Sequence, residues 1–463
     1  MKNIVVIGGG LTGLSAAFHL KEDAAPGMAP RVELLEAAPR LGGKVWTLEE
    51  DGYRVEWAAN GWLGSARFAT ELALRAGLEG EIVVAGSKAA KRFIYHDRRL
   101  HAIVPDPVGF FASPMLSLGG KLRILGEPFI PQKKDGVDES VEAFAARRIG
   151  PEAARVLVSA AVTGIFAGDS RELSLPSAFP RMAEMEAEYG SLVKALISLR
   201  LKHGKEVTAA GPRGSQLSFR RGMYTWARGL AEKVGDAARP GTPVAGLEPY
   251  AGGWRVALEG GTGLDADAVV LATDTAATVR LLRPLEPAAA DTLATVSSSS
   301  VAVVALAFRG EAFGHDADGF GFLVPRGEDL RILGALWESN VFEGRAPEGD
   351  SLLRVMIGGT RSPGLLDLGD DELLRIALED LDRACGLKAQ PVRHWVVRHR
   401  PAIPQYTVGH AERIRGVDAA VARRPGLFLA GNSYRGIAVG SCMEDGRRGA
   451  AQALKHLGLA MPA

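Results

Sequence analysis

The stretch KNIVVIGGGLTGLSAAFHL near the start of the chain restricts the fold more than any other. It reads as strand, glycine turn and helix: an apolar run from Ile4 ends in glycines, and Ala16, Ala17 and Leu20 continue an apolar face beyond the turn. Gly8, Gly10 and Gly13 form G-x-G-x-x-G in that setting. The first glycine permits the tight turn, the second lets the backbone approach a pyrophosphate, and the third lets helix and strand pack closely. The helix N-terminus then offers N–H groups and partial positive charge to the phosphates. A second strand is expected over Arg31 to Glu36, after the connection Ala24 to Pro30, which completes a right-handed βαβ unit. Glu36 lies 23 residues beyond Gly13 (36 − 13). An acid about 20 residues on accepts hydrogen bonds from ribose hydroxyls. In a chain with 57 glycines the motif alone is weak, and Glu36 is the second observation that separates it from a structural glycine turn.

The rest of the chain fills in an α/β protein. With 463 residues and 47% hydrophobic composition, two or three domains with a large core are expected, without disulfide or metal staples. A net charge of +1 gives no basic excess for nucleic acid. Cys385 and Cys442 are far apart and in no metal-ligand spacing, which fits a reducing, cytoplasmic setting. The longest uncharged run, Thr292 to Phe308, is too short for a membrane span and is interrupted by Ser297 to Ser300. From about Leu100 to Arg200 apolar residues recur at helical spacing, and strand patterning returns at Gly253 to Leu258, Asp265 to Asp274 and Val301 to Phe308. The segment GLFLAGNSYRG followed by CMEDGRRGAAQAL repeats the opening order of strand, glycines and helix.

Downstream of Glu36, APRLGGKVWTLEEDG carries Arg40, Gly42, Gly43, Lys44 and Thr47. This resembles the second signature of FAD-dependent oxidases and desaturases, in which an arginine and a Gly-Gly pair wrap the flavin end of the cofactor. Gly431 and Asn432 hold the place where a late strand of such proteins meets the pyrophosphate and ribityl chain. FAD is therefore the expected cofactor.

The whole chain resembles the protoporphyrinogen/coproporphyrinogen oxidase family. The block DESVEAFAARRIGPEAARVLVSAAVTGIFAGDSRELSLPSAFP carries the resemblance, with Gly164 to Asp169, Leu173-Ser174 and Phe179-Pro180, followed by Tyr189 to Leu192. Gly319 to Glu328, Ile332 to Pro347, Ile403 to His410 and Cys442 continue it in order. The resemblance implies a flavin amine oxidase architecture: a discontinuous Rossmann-like FAD-binding domain (1–88, 216–285, 392–463), an α+β substrate domain (89–104, 286–391) and a helical insertion (105–215). It implies six-electron oxidation of protoporphyrinogen IX or coproporphyrinogen III by molecular oxygen, with release of hydrogen peroxide. Carried over by position, Arg92 pairs with a substrate propionate, and Phe320, Gly321 and Leu323 line the porphyrin cavity. Gly9, Leu11, Thr12 and Ala37 join the motif residues on the cofactor. Val244 gives adenine a backbone contact, and Asn60, Gly61, Trp62, Ile437, Ala438 and Val439 surround the isoalloxazine. No nucleophile, triad or metal is implied.

Two stretches depart from the family. Ala58-Ala59 replaces a usual Gly-Pro pair before Asn60, and IAVGSCMEDG looks like the tail of flavin amine oxidases. They leave open an amine oxidase or desaturase, or a non-catalytic porphyrin carrier. His410 is expected to be a hydrogen-bonded structural histidine and Cys442 a buried small hydrophobe. The apolar segment Val108 to Leu118 leaves open core, entrance lip and peripheral membrane contact.

Overall fold

A computed structural model describes residues 1–103, 107–203, 207–208, 211–212, 215–310 and 319–461. Residues 105 and 106, the expected start of the helical insertion, lie outside the described residues.

The opening strand Asn3–Ile7 lies in the middle of a five-stranded parallel sheet. Its neighbours are Arg31–Leu35 on one side and Ala268–Leu271 on the other, with Ala238–Arg239 and Leu427–Leu429 at the edges. Successive side chains point to opposite faces: Ile4 and Val6 enter one core, Val5 and Ile7 another. Both faces are covered, as unbroken apolar strands require. On one face the helix Leu11–Glu22 packs against the long closing helix Val439–His456. Gly446 makes that approach possible, because a Cβ there would stand 2.2 Å from the Thr12 carbonyl oxygen. On the other face lie an antiparallel meander (Val244–Tyr250, Gly253–Leu258, Gly263–Ala266) and the helices Thr275–Leu282, Pro287–Ala294 and His410–Val421.

A seven-stranded mixed sheet forms the second body, in the order Arg393–His399, Val301–Phe308, Ser351–Gly358, Ile332–Leu336, Gly321–Leu323, Phe93–His96, Arg99–Ala102. Ala302, Val304, Leu306 and Phe308 point to the face covered by helix Asp370–Cys385, while Val301 and Val303 point to the other. Between residues 107 and 203 the chain is helical, with a π-helical turn at Ala154–Val158.

Two segments sit on a different body from the one the expected division gives. Strand Arg393–His399 pairs with Val301–Phe308 in the seven-stranded sheet, and helix Pro287–Ala294 packs in the core of the five-stranded sheet. Backbone pairing with Val301–Phe308 places the strand, and burial places the helix, whose Ala289, Ala290 and Leu293 join Leu281 and Leu285 in one apolar core.

Candidate active site

The two bodies enclose a cavity of about 690 Å³ that runs from the glycine turn to the seven-stranded sheet. One end is built by the opening motif. Gly8 has φ +105° and lies against the Ala272 carbonyl, where a Cβ would sit 2.5 Å from oxygen. Gly13 lies under the turn, with a Cβ 1.8 Å from the Gly8 carbonyl oxygen. A Cβ on Gly10 would meet no protein atom within 4 Å, yet Gly10 lines the cavity. The three glycines thus serve the turn, the packing and the open approach.

Glu36 closes this end. Its carboxylate accepts the Gly9 N–H at 2.5 Å and the Ala38 N–H at 2.8 Å, which fixes the side chain at the cavity wall. Leu11, Thr12, Ala37 and Val244 line the same end, and Arg280 donates to the Val244 carbonyl at 2.9 Å. Asp274 accepts the Ala277 N–H and caps helix Thr275–Leu282 at the cavity edge.

The middle is flanked by the second glycine turn. Gly431, Asn432, Ile437 and Val439 line it, together with Gly43 and Lys44. Tyr406 holds the turn, its hydroxyl donating to the Asn432 carbonyl and accepting the Gly436 N–H. Helix Val439–His456 starts here without a side-chain cap, so its first N–H groups face the cavity. Lys44 donates to the Ala402 carbonyl at 2.7 Å, and burial lowers its pKa.

The far end is an apolar chamber on the face of the seven-stranded sheet. Its floor pairs Val301 with His399, Val303 with Met356 and Leu336 with Arg354 in register. Gly164, Ile165, Ala402 and Ile403 form the walls, and Ile165, 47% exposed, marks the mouth beside the helical block. Arg354 donates to the Glu56 and Ala58 carbonyls and to the Glu338 carboxylate, which fixes the loop leading to Asn60. Burial raises the pKa of Glu56, whose carboxylate accepts from Thr47 and the Met223 N–H and pairs with Arg345.

Several expected residues lie outside the lining. Trp62 is 4% exposed and packs against Phe219 and Trp226, with ring centroids at 4.9 and 5.6 Å, because the core offers its indole more apolar contact than the cavity edge does. Gly61 allows the close approach of Leu217, Gly9 lies against Glu36, and Ala438 is the N-cap between Ile437 and Val439. Arg40 stacks over Trp46 and Trp57 at 4.7 and 5.6 Å. Arg92, exposed, stacks over Phe320 at 4.9 Å and pairs with no carboxylate among the described residues. Gly321 permits the approach of the Ala335 carbonyl, and Leu323 packs directly behind Gly164. Cys442, expected to be a buried small hydrophobe, lies on the cavity wall, and burial pushes its thiol up to about 12. His410 stacks on Tyr406 at 4.1 Å, bonds the Tyr434 carbonyl and lies outside the lining, as a structural histidine does.

The cavity was only partly legible in the sequence. Arg354, His399, Trp57 and Asp274 were missed, although a single arginine inside the apolar strand SLLRVMIG is a readable signal.

These residues fit FAD. Two buried donors on the wall, Trp57 Nε1 and Asn60 Nδ2, have no hydrogen-bond partner in the protein, and the flavin ring carries the acceptors they lack. Gly10 leaves open space at the start of helix Leu11–Glu22, where a pyrophosphate would meet the helix N-terminus. Among the described residues no cluster of His, Cys, Asp and Glu could hold a metal ion.

The chain is 31% identical to coproporphyrinogen III oxidase of Bacillus subtilis (strain 168), covering 98% of each chain. It is 34% identical to protoporphyrinogen oxidase of Bos taurus, again over 98% of each. A solved structure from Exiguobacterium sp. 255-15, provisionally named a protoporphyrinogen oxidase, superposes with a TM-score of 0.84 at 26% identity over 99% of both chains. The family of flavin-containing amine oxidoreductases matches residues 11–454. The chain therefore belongs to the flavin-containing amine oxidoreductases, alongside the porphyrinogen oxidases, and is an FAD-dependent oxidase.

Proposed function

We propose that this oxidase converts a porphyrinogen to the porphyrin in haem biosynthesis, with molecular oxygen as acceptor. The observation that carries the reading is the apolar chamber over Val301, Val303, Leu336 and Met356, opening beside Gly164 and Ile165, in a chain related to porphyrinogen oxidases over its length. A flat macrocycle needs such a surface. Hydride acceptance and electron delivery to oxygen are the chemistry FAD supplies. The protein's part is to hold the macrocycle and keep water out. Arg92, with no carboxylate partner among the described residues, is the group assigned to a substrate propionate, and Phe320 supports its guanidinium.

The test is anaerobic mixing of FAD-loaded protein with protoporphyrinogen IX and with coproporphyrinogen III, followed by air. Flavin bleaching, then porphyrin fluorescence and peroxide, is the expected result, and the faster substrate names the reaction. An unbleached flavin with both, together with turnover of amines, would overturn the reading.

The helical block adds a peripheral lipid contact. In helix Leu118–Leu125 the charged side chains turn inward, Lys121 donating to the Phe111 carbonyl and Arg123 to the carbonyls of Arg147 and Arg148. Leu118, Leu122 and Leu125 are 68, 56 and 55% exposed, and Phe129 just beyond is 87% exposed. A helix that buries its charges and exposes its leucines suits a membrane surface. Among the described residues no helix is long and apolar enough to cross a membrane.

A further inference from the structure

We propose that His399 is the base that takes the pyrrole N–H proton during porphyrinogen oxidation; the assignment rests on the porphyrinogen reading above. Loss of hydride from a meso carbon leaves a cation that becomes neutral only when an N–H proton departs. The chamber that holds the macrocycle must therefore contain an acceptor or a path to water. Seven side chains that line the cavity carry titratable groups: Glu36, Lys44, Asp274, Arg280, Arg354, His399 and Cys442. Glu36 and Asp274 are at the glycine-turn end, each holding backbone N–H groups. Arg280 holds the Val244 and Ala245 carbonyls there. Lys44 and Arg354 are cations with no lone pair to offer. The Cys442 thiol, pushed up to about 12, keeps its proton. His399 is the remaining group, and it stands on the chamber floor opposite Val301.

Its geometry prepares it for this role. His399 Nε2 lies 2.7 Å from the Trp57 carbonyl oxygen. A carbonyl only accepts, so Nε2 carries the hydrogen and Nδ1 is left with its lone pair. Burial keeps the ring neutral, and the charged groups facing it are all cations: Lys44 from the second signature, Arg354 from strand Ser351–Gly358 beyond Val301–Phe308, and Arg40 from beside Trp57. A base of this kind is unprotonated through the neutral range.

The balance is simple. In each two-electron step one meso C–H and one pyrrole N–H break; bound FAD would take the hydride and Nδ1 the proton. After the third step a tautomerisation moves one hydrogen of the last meso CH2 to nitrogen, so that four C–H and two N–H hydrogens are lost overall. Hydride and proton together reduce one O2 to one H2O2, and His399 returns to neutral.

His399→Gln tests the assignment, because the amide nitrogen can still donate to Trp57 while no basic lone pair remains. In anaerobic stopped-flow mixing, the variant should retain its flavin spectrum and its reaction with oxygen after photoreduction. Flavin bleaching by porphyrinogen should slow about 100-fold or more. The wild-type rate should fall as pH drops through the lowered pKa of His399, and this limb should vanish in the variant. An independent readout uses 15N-histidine NMR of the FAD-loaded protein: His399 should show a bare Nδ1 at neutral pH and shift on adding the product porphyrin, which undergoes no turnover. Equal bleaching rates with the acid limb intact in the variant, or an Nδ1-protonated ring, would overturn the proposal. Failure of the wild type itself to bleach would instead overturn the porphyrinogen reading, and the base assignment with it.

Discussion

The Asp445 carboxylate accepts the Gly431 N–H at 2.8 Å and ties the closing helix to the glycine turn at the cavity's middle. Arg448, one turn further along the helix, donates to the same carboxylate at 2.7 Å and to the Leu429 carbonyl at 2.7 Å. Replacing Asp445 with alanine strands the buried Gly431 N–H and removes one of Arg448's partners, a loss on the order of 1–3 kcal/mol. The turn bearing Asn432 then loses its support. Asp445→Ala should purify with less flavin and melt at a lower temperature, with added FAD restoring only part of the difference. Full flavin content in the variant would mean that Tyr406 alone holds the turn.

The glycines of the opening motif should fail in different ways. At Gly10 a methyl group meets no protein atom within 4 Å, and φ is −69°, so Gly10→Ala should fold with little change in apo stability. The methyl group projects into the space kept for the cofactor, and FAD affinity should fall at least about tenfold, the equivalent of ~1.4 kcal/mol. At Gly13 the same methyl group would stand 1.8 Å from the Gly8 carbonyl oxygen. Gly13→Ala should therefore destabilise the apoprotein by about 3 kcal/mol or more. Apoprotein melting separates the two, and equal melting losses would refute the division of roles.

Local order in the sequence accounts for what was legible. Strand, glycines and helix are contiguous from Asn3 to Glu22, so chain connectivity fixes their geometry and Glu36 follows one strand later. The chamber floor is different. Val301, Leu336, Arg354 and His399 come from four strands and meet only through register, which no local pattern encodes. Trp62 illustrates the same limit from the other side: its position beside Asn60 suggested the flavin, but Phe219 and Trp226, distant in sequence, claim its ring. Likewise Lys121 and Arg123 look like solvent-facing charges until the carbonyls of Phe111, Arg147 and Arg148 are brought to them.

That inversion makes the lipid reading testable. Leu122 and Leu125 contribute nothing to the cavity and lie on the outward side of their helix. Leu122→Gln with Leu125→Gln should leave folding and flavin content intact. Burying two leucines in a bilayer surface is worth about 3 kcal/mol by area. Even partial insertion predicts at least a tenfold loss of sedimentation with vesicles of phosphatidylcholine and phosphatidylglycerol. Absence of wild-type binding to such vesicles would discard a membrane role for this face.

His410 gives the acid side of the stability profile. It is 2% exposed, stacked on Tyr406 and held neutral, with burial pushing its pKa down to about 4. In the unfolded chain the imidazole titrates near 6.5. Above that pH the ring is neutral in both states and has no effect on the pH dependence. As pH falls from 6.5 towards 4, the unfolded chain gains a proton that the folded one refuses, and stability drops. The difference of about 2.5 pKa units sets an upper limit of roughly 3 kcal/mol on this loss. His410→Asn cannot take up that proton, so its melting temperature, lower near neutral pH through the lost stack, should decline less steeply between pH 6.5 and 4. Parallel profiles for wild type and variant would assign the acid loss to other groups, such as the carboxylate of Glu127, whose bonds to Ser191, Leu192 and Arg148 hold its pKa down.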